Sequence, residues 1–331
     1  MVDVTVRGAG AFGLSVAFSC ALRGAKVRVV DPAGPGAGAS GGTVGALAPH
    51  VPENWNPKKA FQFAALAMAE DFWAEVARIG GEEPGYARTG RLQPIADEKA
   101  LALARARADT AARLWEGRFS WRVVAAPADW APLSPTGLVI HDTLSARIAP
   151  RRAVAALAAA VRALGGEIVP EAPDAGAVVW ATGAAGLAAL SEAFGKVVGV
   201  GVKGQAALLR FEARERPQLF AGGVHIVPHA DGTVAIGSTT ERDFASPDTC
   251  DGQLDEVIAR ARAACPVLAE APVIERWAGL RPRSKSRAPM LGAWPGRPGH
   301  YIANGGFKIG FGMAPLVGKV MAELALEGRD A

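Results

Sequence analysis

The chain has 331 residues, 50% of them hydrophobic and 21% charged, which is enough for a substantial core and, by length, for two domains. Cys20, Cys250 and Cys265 form no C-x-x-C pair and so suggest neither a disulfide framework nor a zinc site; no metal is expected. A net charge of +4 and a pI of about 9.1 suit an acidic ligand such as a nucleotide cofactor, but without a dense Lys/Arg stripe they argue against nucleic acid.

Taken in chain order, Val2, Val4 and Val6 alternate with Asp3 and Thr5 and predict a strand that runs into a glycine turn at Gly8. Leu14 to Leu22 reads as a helix stopped by Gly24, and Val27 to Val30 as a second strand ending at Asp31. Pro32 to Gly45 is too rich in Gly, Ala, Ser and Pro for regular structure. One long helix is expected from about Lys59 to Ile79, a strand at Arg91 to Ile95 and a helix from about Asp97 to Trp115. Val154, Leu157, Val161 and Leu164 are spaced as an amphipathic helix, ended by Gly165 and Gly166. Strands follow at Glu167 to Val169, Val178 to Ala181 and Gln205 to Phe211. His225 to His229 and Thr233 to Ile236 flank Asp231-Gly232, a hairpin signal. Leu254 to Ala264 reads as a helix, Tyr301 to Ala303 as a strand, and Pro315 to Leu326 as a final helix. No stretch of about 20 uninterrupted apolar residues marks a membrane span, and no secretory leader opens the chain, so a cytoplasmic location is expected. The pattern is α/β at both ends with strand-rich inserts between, which predicts two interleaved domains.

Gly8-Ala9-Gly10-Ala11-Phe12-Gly13 matches G-x-G-x-x-G, and it stands between a strand and a helix with Asp31 closing the next strand. The first glycine serves the tight turn, the second the approach of a pyrophosphate, and the third the packing of helix on strand. The helix N-terminus offers free N–H groups to phosphate, and the Asp31 carboxylate can accept hydrogen bonds from ribose hydroxyls. The fingerprint alone does not separate FAD from NAD.

Further motifs lie outside the fingerprint: Ala39-Ser40-Gly41-Gly42 leading to Gly45-Ala46-Leu47, Val178-Val179-Trp180-Ala181-Thr182-Gly183, Trp277-Ala278-Gly279-Leu280-Arg281-Pro282, and Asn304-Gly305-Gly306-Phe307-Lys308-Ile309-Gly310. With these the chain resembles, over nearly its whole length, the D-amino-acid oxidase superfamily, in its glycine oxidase and sarcosine oxidase branch. The Trp277 to Pro282 run is the most specific. The resemblance implies a Rossmann-like FAD-binding domain formed by residues 1–85, 140–204 and 286–331. It also implies an interleaved substrate domain, residues 86–139 and 205–285, built on an antiparallel sheet with helices. It implies oxidation of the C–N bond of a small amino acid or N-substituted amine by hydride transfer to flavin N5, with oxygen as acceptor. By the same resemblance Ser40, Gly41, Gly45, Ala46 and Leu47 run beside pyrophosphate and flavin, Val169 approaches the adenine, and Ala181, Thr182 and Gly183 cover the middle of the cofactor. Gly305, Gly306, Phe307, Lys308 and Ile309 bring backbone donors to the flavin pyrimidine edge, where charge develops on reduction.

Arg281 matches the family's arginine for the substrate carboxylate, a task that suits a planar guanidinium. The competing reading is a surface arginine, since Arg283, Lys285 and Arg287 follow closely. The branch often carries an arginine where Lys308 stands, and His225 stands where a tyrosine often lines the substrate pocket. Either residue can instead be structural. The segment from Glu167 to Ala177 is short for the hairpin usual there. No cysteine follows Trp277, so the FAD is expected to be non-covalent. Rival readings are a dehydrogenase that passes electrons to a quinone or a protein, a non-catalytic flavin-binding subunit, and an NAD-dependent dehydrogenase. The actual substrate and the oligomeric state, a homo-oligomer included, stay open.

Overall fold

Short valine runs at Val4–Arg7 and Val27–Val30 pair in parallel, and the helix Ala11–Leu22 crosses between them. Val4, Val6, Leu14, Val16 and Val29 of this unit are wholly buried, as expected of β-branched strands covered on both faces. The computed structural model describes residues 1–329, and this βαβ unit is the centre of its six-stranded sheet. The strands run in the order Met290–Ala293, His300–Asn304, Ala177–Trp180, Val4–Arg7, Val27–Val30, Glu167–Val169. All neighbours are parallel except Met290–Ala293, which joins antiparallel at one edge.

The second sheet has eight strands, in the order Val273–Ser284, Gly199–Arg210, Thr233–Gly237, Val224–Pro228, Gln218–Ala221, Arg91–Pro94, Leu138–Asp142, Trp121–Ala125. Its pairs are antiparallel apart from Gln218–Ala221 beside Arg91–Pro94. The helix Gly252–Ala264 covers one face with Leu254, Val257, Ile258 and Ala261, all buried in the core that includes Ile226, Ile236 and Leu209. The Asp251 carboxylate caps that helix by accepting from Gln253 N–H.

Two local expectations change. The single helix over Lys59 to Ile79 is two, Pro57–Ala67 and Ala69–Gly80. Arg88 Nη2 donates to the Leu66 carbonyl at 3.0 Å. In a continuous helix that carbonyl would accept from Glu70 N–H, so a side chain inserted in the ladder marks the break. The last helix begins five residues earlier than its apolar pattern suggests, at Gly310, and runs to Glu327 around an internal Pro315. The stretch Phe307–Glu327 is long and apolar enough, by length and composition, to cross a membrane. Here it is a core helix: Met313, Ala314, Val317, Met321 and Ala322 are buried in the same core as Leu14 and Phe18.

Candidate active site

A cleft of about 1010 Å³ runs from the carboxyl ends of Val4–Arg7 and Val27–Val30 to the strand Val273–Ser284. That is at the upper end of small-molecule pockets and leaves room for a large ligand with a smaller one beside it.

The end at the fingerprint is built from backbone. Gly8 has φ +107°, and a Cβ there would lie 2.4 Å from the Ala181 carbonyl oxygen, so both its conformation and its contact require glycine. Gly13 lies against the Gly8 carbonyl, where a Cβ would stand 1.9 Å away, and packs helix on strand without lining the cleft. Gly10, Ala11 and Phe12 do line it. Ala11 N–H donates to Ser40 Oγ at 2.9 Å, which ties the loop at Ser40 to the helix start. Asp31 accepts from Ala9 N–H at 2.8 Å and from Ala33 N–H at 3.1 Å, and its carboxylate lines the cleft. Arg7, unnoticed in the sequence, lines the cleft too, held by Asp174 at 2.7 Å.

The middle is lined by Ser40, Gly45, Ala46, Leu47, Ala181, Thr182 and Gly183, together with Gly306, Phe307, Lys308 and Ile309. Gly41, Gly305 and Val169 stand outside the lining. Gly41 packs on the Gly36 carbonyl, and Gly305 N–H donates to Asn304 Oδ1 at 2.7 Å. The Val169 carbonyl accepts Asp31 N–H at 3.1 Å, so that acceptor is already used within the sheet. Asn304 also donates to the Gly183 carbonyl at 3.0 Å and so joins two of the lining segments.

The other end is built from side chains. Arg281 Nη1 donates to Ser238 Oγ at 2.7 Å, and Nη2 donates to the carbonyls of Thr239 at 2.5 Å and Lys203 at 3.3 Å. Of the five guanidinium donors this leaves two, one being the buried Nε, which has no partner. Gly204 makes room: a Cβ there would lie 1.7 Å from Arg281 Nη2. Burial lowers the Arg281 guanidinium to about 10, against the pull of Glu241. Behind it sits a buried network. Lys203 Nζ lies 3.5 Å from Glu241 and 3.4 Å from Asp251. Gln205 Nε2 donates to Glu241 at 3.0 Å and to Asp251 at 2.9 Å, and Thr239 Oγ1 bonds Glu241.

Lys308 opens into the cleft, and burial together with the neighbouring Arg281 lowers its ammonium to about 8. His225 also lines the cleft, its ring 4.6 Å from Phe220. Burial, then Arg91 and Lys308, push its imidazolium down to about 3, so the ring is neutral near pH 7, and its buried Nδ1 has no partner. None of the three cysteines lines the cleft, and the described residues contain no cluster of metal-ligating side chains.

The sequence profile of the FAD dependent oxidoreductase (DAO) family matches residues 3–324. The chain belongs to that family. It is an FAD-dependent enzyme of the D-amino-acid oxidase superfamily, glycine oxidase/sarcosine oxidase branch, with the family's α/β fold. It is 26% identical to the glycine oxidase of Pseudomonas aeruginosa over 99% of this chain and 95% of that one. Among solved structures, the glycine oxidase of Geobacillus kaustophilus superposes with a TM-score of 0.84 at 22% identity, covering 99% of this chain and 95% of the other. The iminodiacetate oxidase of Chelativorans sp. BNC1 superposes with a TM-score of 0.83 at 23% identity, covering 99% and 96%. The residues fit the cofactor: glycine backbone at the fingerprint end leaves open space, with the Asp31 carboxylate beside it.

Proposed function

We propose that this flavoenzyme holds FAD non-covalently along the cleft and oxidises the C–N bond of a small amino acid or N-substituted amine. When bound, FAD supplies the two-electron chemistry by accepting a hydride at its flavin ring. The rest falls to side chains and backbone. Gly8, Gly10, Ala11, Phe12 and Ser40 receive the pyrophosphate, with Gly13 and Gly41 supporting that turn from behind, and Asp31 takes the ribose hydroxyls. Gly45, Ala46, Leu47, Ala181, Thr182 and Gly183 line the middle. Gly306 to Ile309, set by Gly305, offer backbone donors to charge that develops on reduction. Val169 supports the adenine end through its bond to Asp31. The two sheets serve as the nuclei of two interleaved domains. On that division the strands Gly199–Arg210 and Leu138–Asp142 both belong to the substrate side, and we place those boundaries near residues 198 and 143.

The observation that carries the reading is Arg281. It is a guanidinium fixed from behind by Ser238, Thr239 and Lys203, with two donors left over, in the same cleft as the fingerprint. The spare Nη1 donor meets the substrate carboxylate and orients the amine-bearing carbon toward the cofactor. Lys308 adds positive charge. His225, whose imidazolium is pushed down to about 3, is a weak base and orients rather than removes a proton. Molecular oxygen as acceptor and a cytoplasmic location belong to the same proposal.

The test is the visible spectrum of the purified holoenzyme with glycine, sarcosine or D-amino acids added without oxygen, followed by rapid mixing with oxygen. Bleaching by one of these amines supports the reading. Arg281→Ala should keep its flavin and lose at least about 30-fold in kcat/KM for the carboxylate substrate, which is the lower end of truncating a charged hydrogen-bonded pair. Unchanged turnover in that variant would exclude Arg281 from the role. Flavin bands that persist with every amine would remove the C–N oxidation.

A further inference from the structure

The loop that lines the middle of the cleft is hydrogen-bonded to the second sheet by a buried imidazole. Gly41 and Gly42 N–H groups bond back to the Gly38 and Ala39 carbonyls, and the Gly45 carbonyl accepts from Ile148 N–H at 3.0 Å. Between these anchors stand Thr43 and Val44, both in the cleft lining. Among the described residues their only hydrogen bond joins the Thr43 carbonyl to His229 Nε2, at 2.9 Å. His229 lies outside the lining and is 4% exposed. It follows the strand Val224–Pro228, and the Asp231-Gly232 turn fixes its backbone. Its N–H donates to the Thr233 carbonyl at 2.8 Å, and its carbonyl accepts from Gly232 N–H at 3.3 Å. The same hairpin seats Val44, since a Cβ on Gly237 would lie 2.7 Å from Val44 Cγ2.

A carbonyl can only accept, so Nε2 carries the imidazole proton, and burial favours the neutral ring. The Thr43–Val44 peptide is trans, so its N–H points opposite to its C=O. With the carbonyl drawn back to His229, behind the lining, Val44 N–H is turned toward the cleft. We propose that His229 is a positioning residue for the flavin, which through the Thr43 carbonyl sets Val44 N–H as a hydrogen-bond donor to the ring. A donor fixed before reduction needs no reorganisation when negative charge develops on the ring. The inference rests on the flavin's place along the middle of the cleft and is independent of which amine is oxidised.

The test uses the FAD-loaded enzyme. His229→Leu removes the donor, and His229→Gln places an amide N–H where Nε2 stood. In His229→Leu the preference for reduced over oxidised FAD should fall about tenfold, the size of one hydrogen bond, which lowers the two-electron midpoint potential by about 30 mV. His229→Gln should recover most of that. Methoxyacetate, a carboxylate with no C–N bond to oxidise, should bind both variants within about twofold of the parent, because Arg281 is held by other residues. A merely structural histidine would lower the melting temperature and leave the potential where it was. An unchanged or raised potential in a His229→Leu enzyme that holds FAD would overturn the proposal, and so would an equal loss of methoxyacetate affinity. The parent enzyme gives a second reading that needs no variant. When dithionite reduces the bound flavin, the Val44 amide proton should move downfield in the NMR spectrum. Movement at Phe307 and Lys308 without Val44 overturns this inference alone. Movement at none of the three removes the flavin from the middle of the cleft as well.

Discussion

The two ends of the cleft are made in opposite ways. At the fingerprint end, recognition is local backbone: one turn, one helix start and one carboxylate fall within the first 31 residues. At the substrate end it is side-chain chemistry assembled from distant segments. Arg281 is held by Ser238, Thr239 and Lys203, and these in turn by Gln205, Glu241 and Asp251. The first kind of site is damaged by changing the chain's path or its one carboxylate. The second can be damaged from behind, by residues that touch no ligand.

The sharpest way to break that contrast is to cut the network at its base. Lys203 and Glu241 side chains are 2% and 4% exposed, so removing one partner strands a buried charge. Lys203→Met should destabilise the protein by about 3 kcal/mol or more and raise KM for the substrate, while the affinity for FAD in the folded fraction stays as it was. Denaturant melts and FAD titration separate the two effects, and an equal loss of FAD affinity would show that the ends are not independent.

The converse change is Gly8→Ala. Its added Cβ meets the Ala181 carbonyl in a conformation that L-residues rarely adopt. About 2–3 kcal/mol of strain is expected, and it should appear as lost FAD retention on gel filtration with the Arg281 surroundings intact. If the variant keeps its flavin, the turn is not what holds the pyrophosphate.

These two cases also explain what could be read in the sequence. Gly8 to Gly13 and Asp31 were legible because a turn and a helix start are short-range structures with fixed spacing. Arg281 was legible only through its motif, and the strand that carries it was not recognised. Val273–Ser284 contains Gly279 and Pro282, which argue against a strand interior. It is tolerated because this strand is the sheet edge, and Pro282, paired with Gly201, needs no second neighbour. Ser238, Lys203, Gln205 and Glu241 gave no signal at all, since they meet only across paired strands and the loop that follows them. A lysine and a glutamate 38 residues apart announce no pair. Arg283, Lys285 and Arg287 were visible as a basic run, but whether acids matched them could be judged only in three dimensions.

Ser238→Ala sharpens the contrast at smaller scale. It removes one hydrogen bond to Arg281 Nη1 and leaves both carbonyl contacts. A loss of about 1–2 kcal/mol in substrate binding, read as a five- to thirtyfold rise in KM with kcat little changed, is expected. A fall in kcat at constant KM would place Ser238 nearer the reacting atoms than to the carboxylate.

The gentlest probe is pH, because only one of the two ends titrates near neutrality. Backbone N–H groups carry no proton to lose, so FAD retention should stay flat from pH 6 to 9, a span of about three units. At the substrate end Lys308 faces Arg281 on the edge strand, His225 on the hairpin and Arg283 across the Phe307 ring. His225, near 3, is already neutral, and Arg281, near 10, is still charged. Lys308, at about 8, therefore sets the profile. Burial and like charge have lowered it, and a bound carboxylate favours the ammonium, so the bound value lies above the free one. Anion affinity is then constant below about pH 7 and falls between the free and bound values by at most tenfold per pH unit. At higher pH it levels off. Lys308→Met should flatten this profile for a non-oxidisable carboxylate such as methoxyacetate. A profile that keeps its fall near pH 8 in that variant would assign the titration to another group and leave Lys308 without a place at the carboxylate.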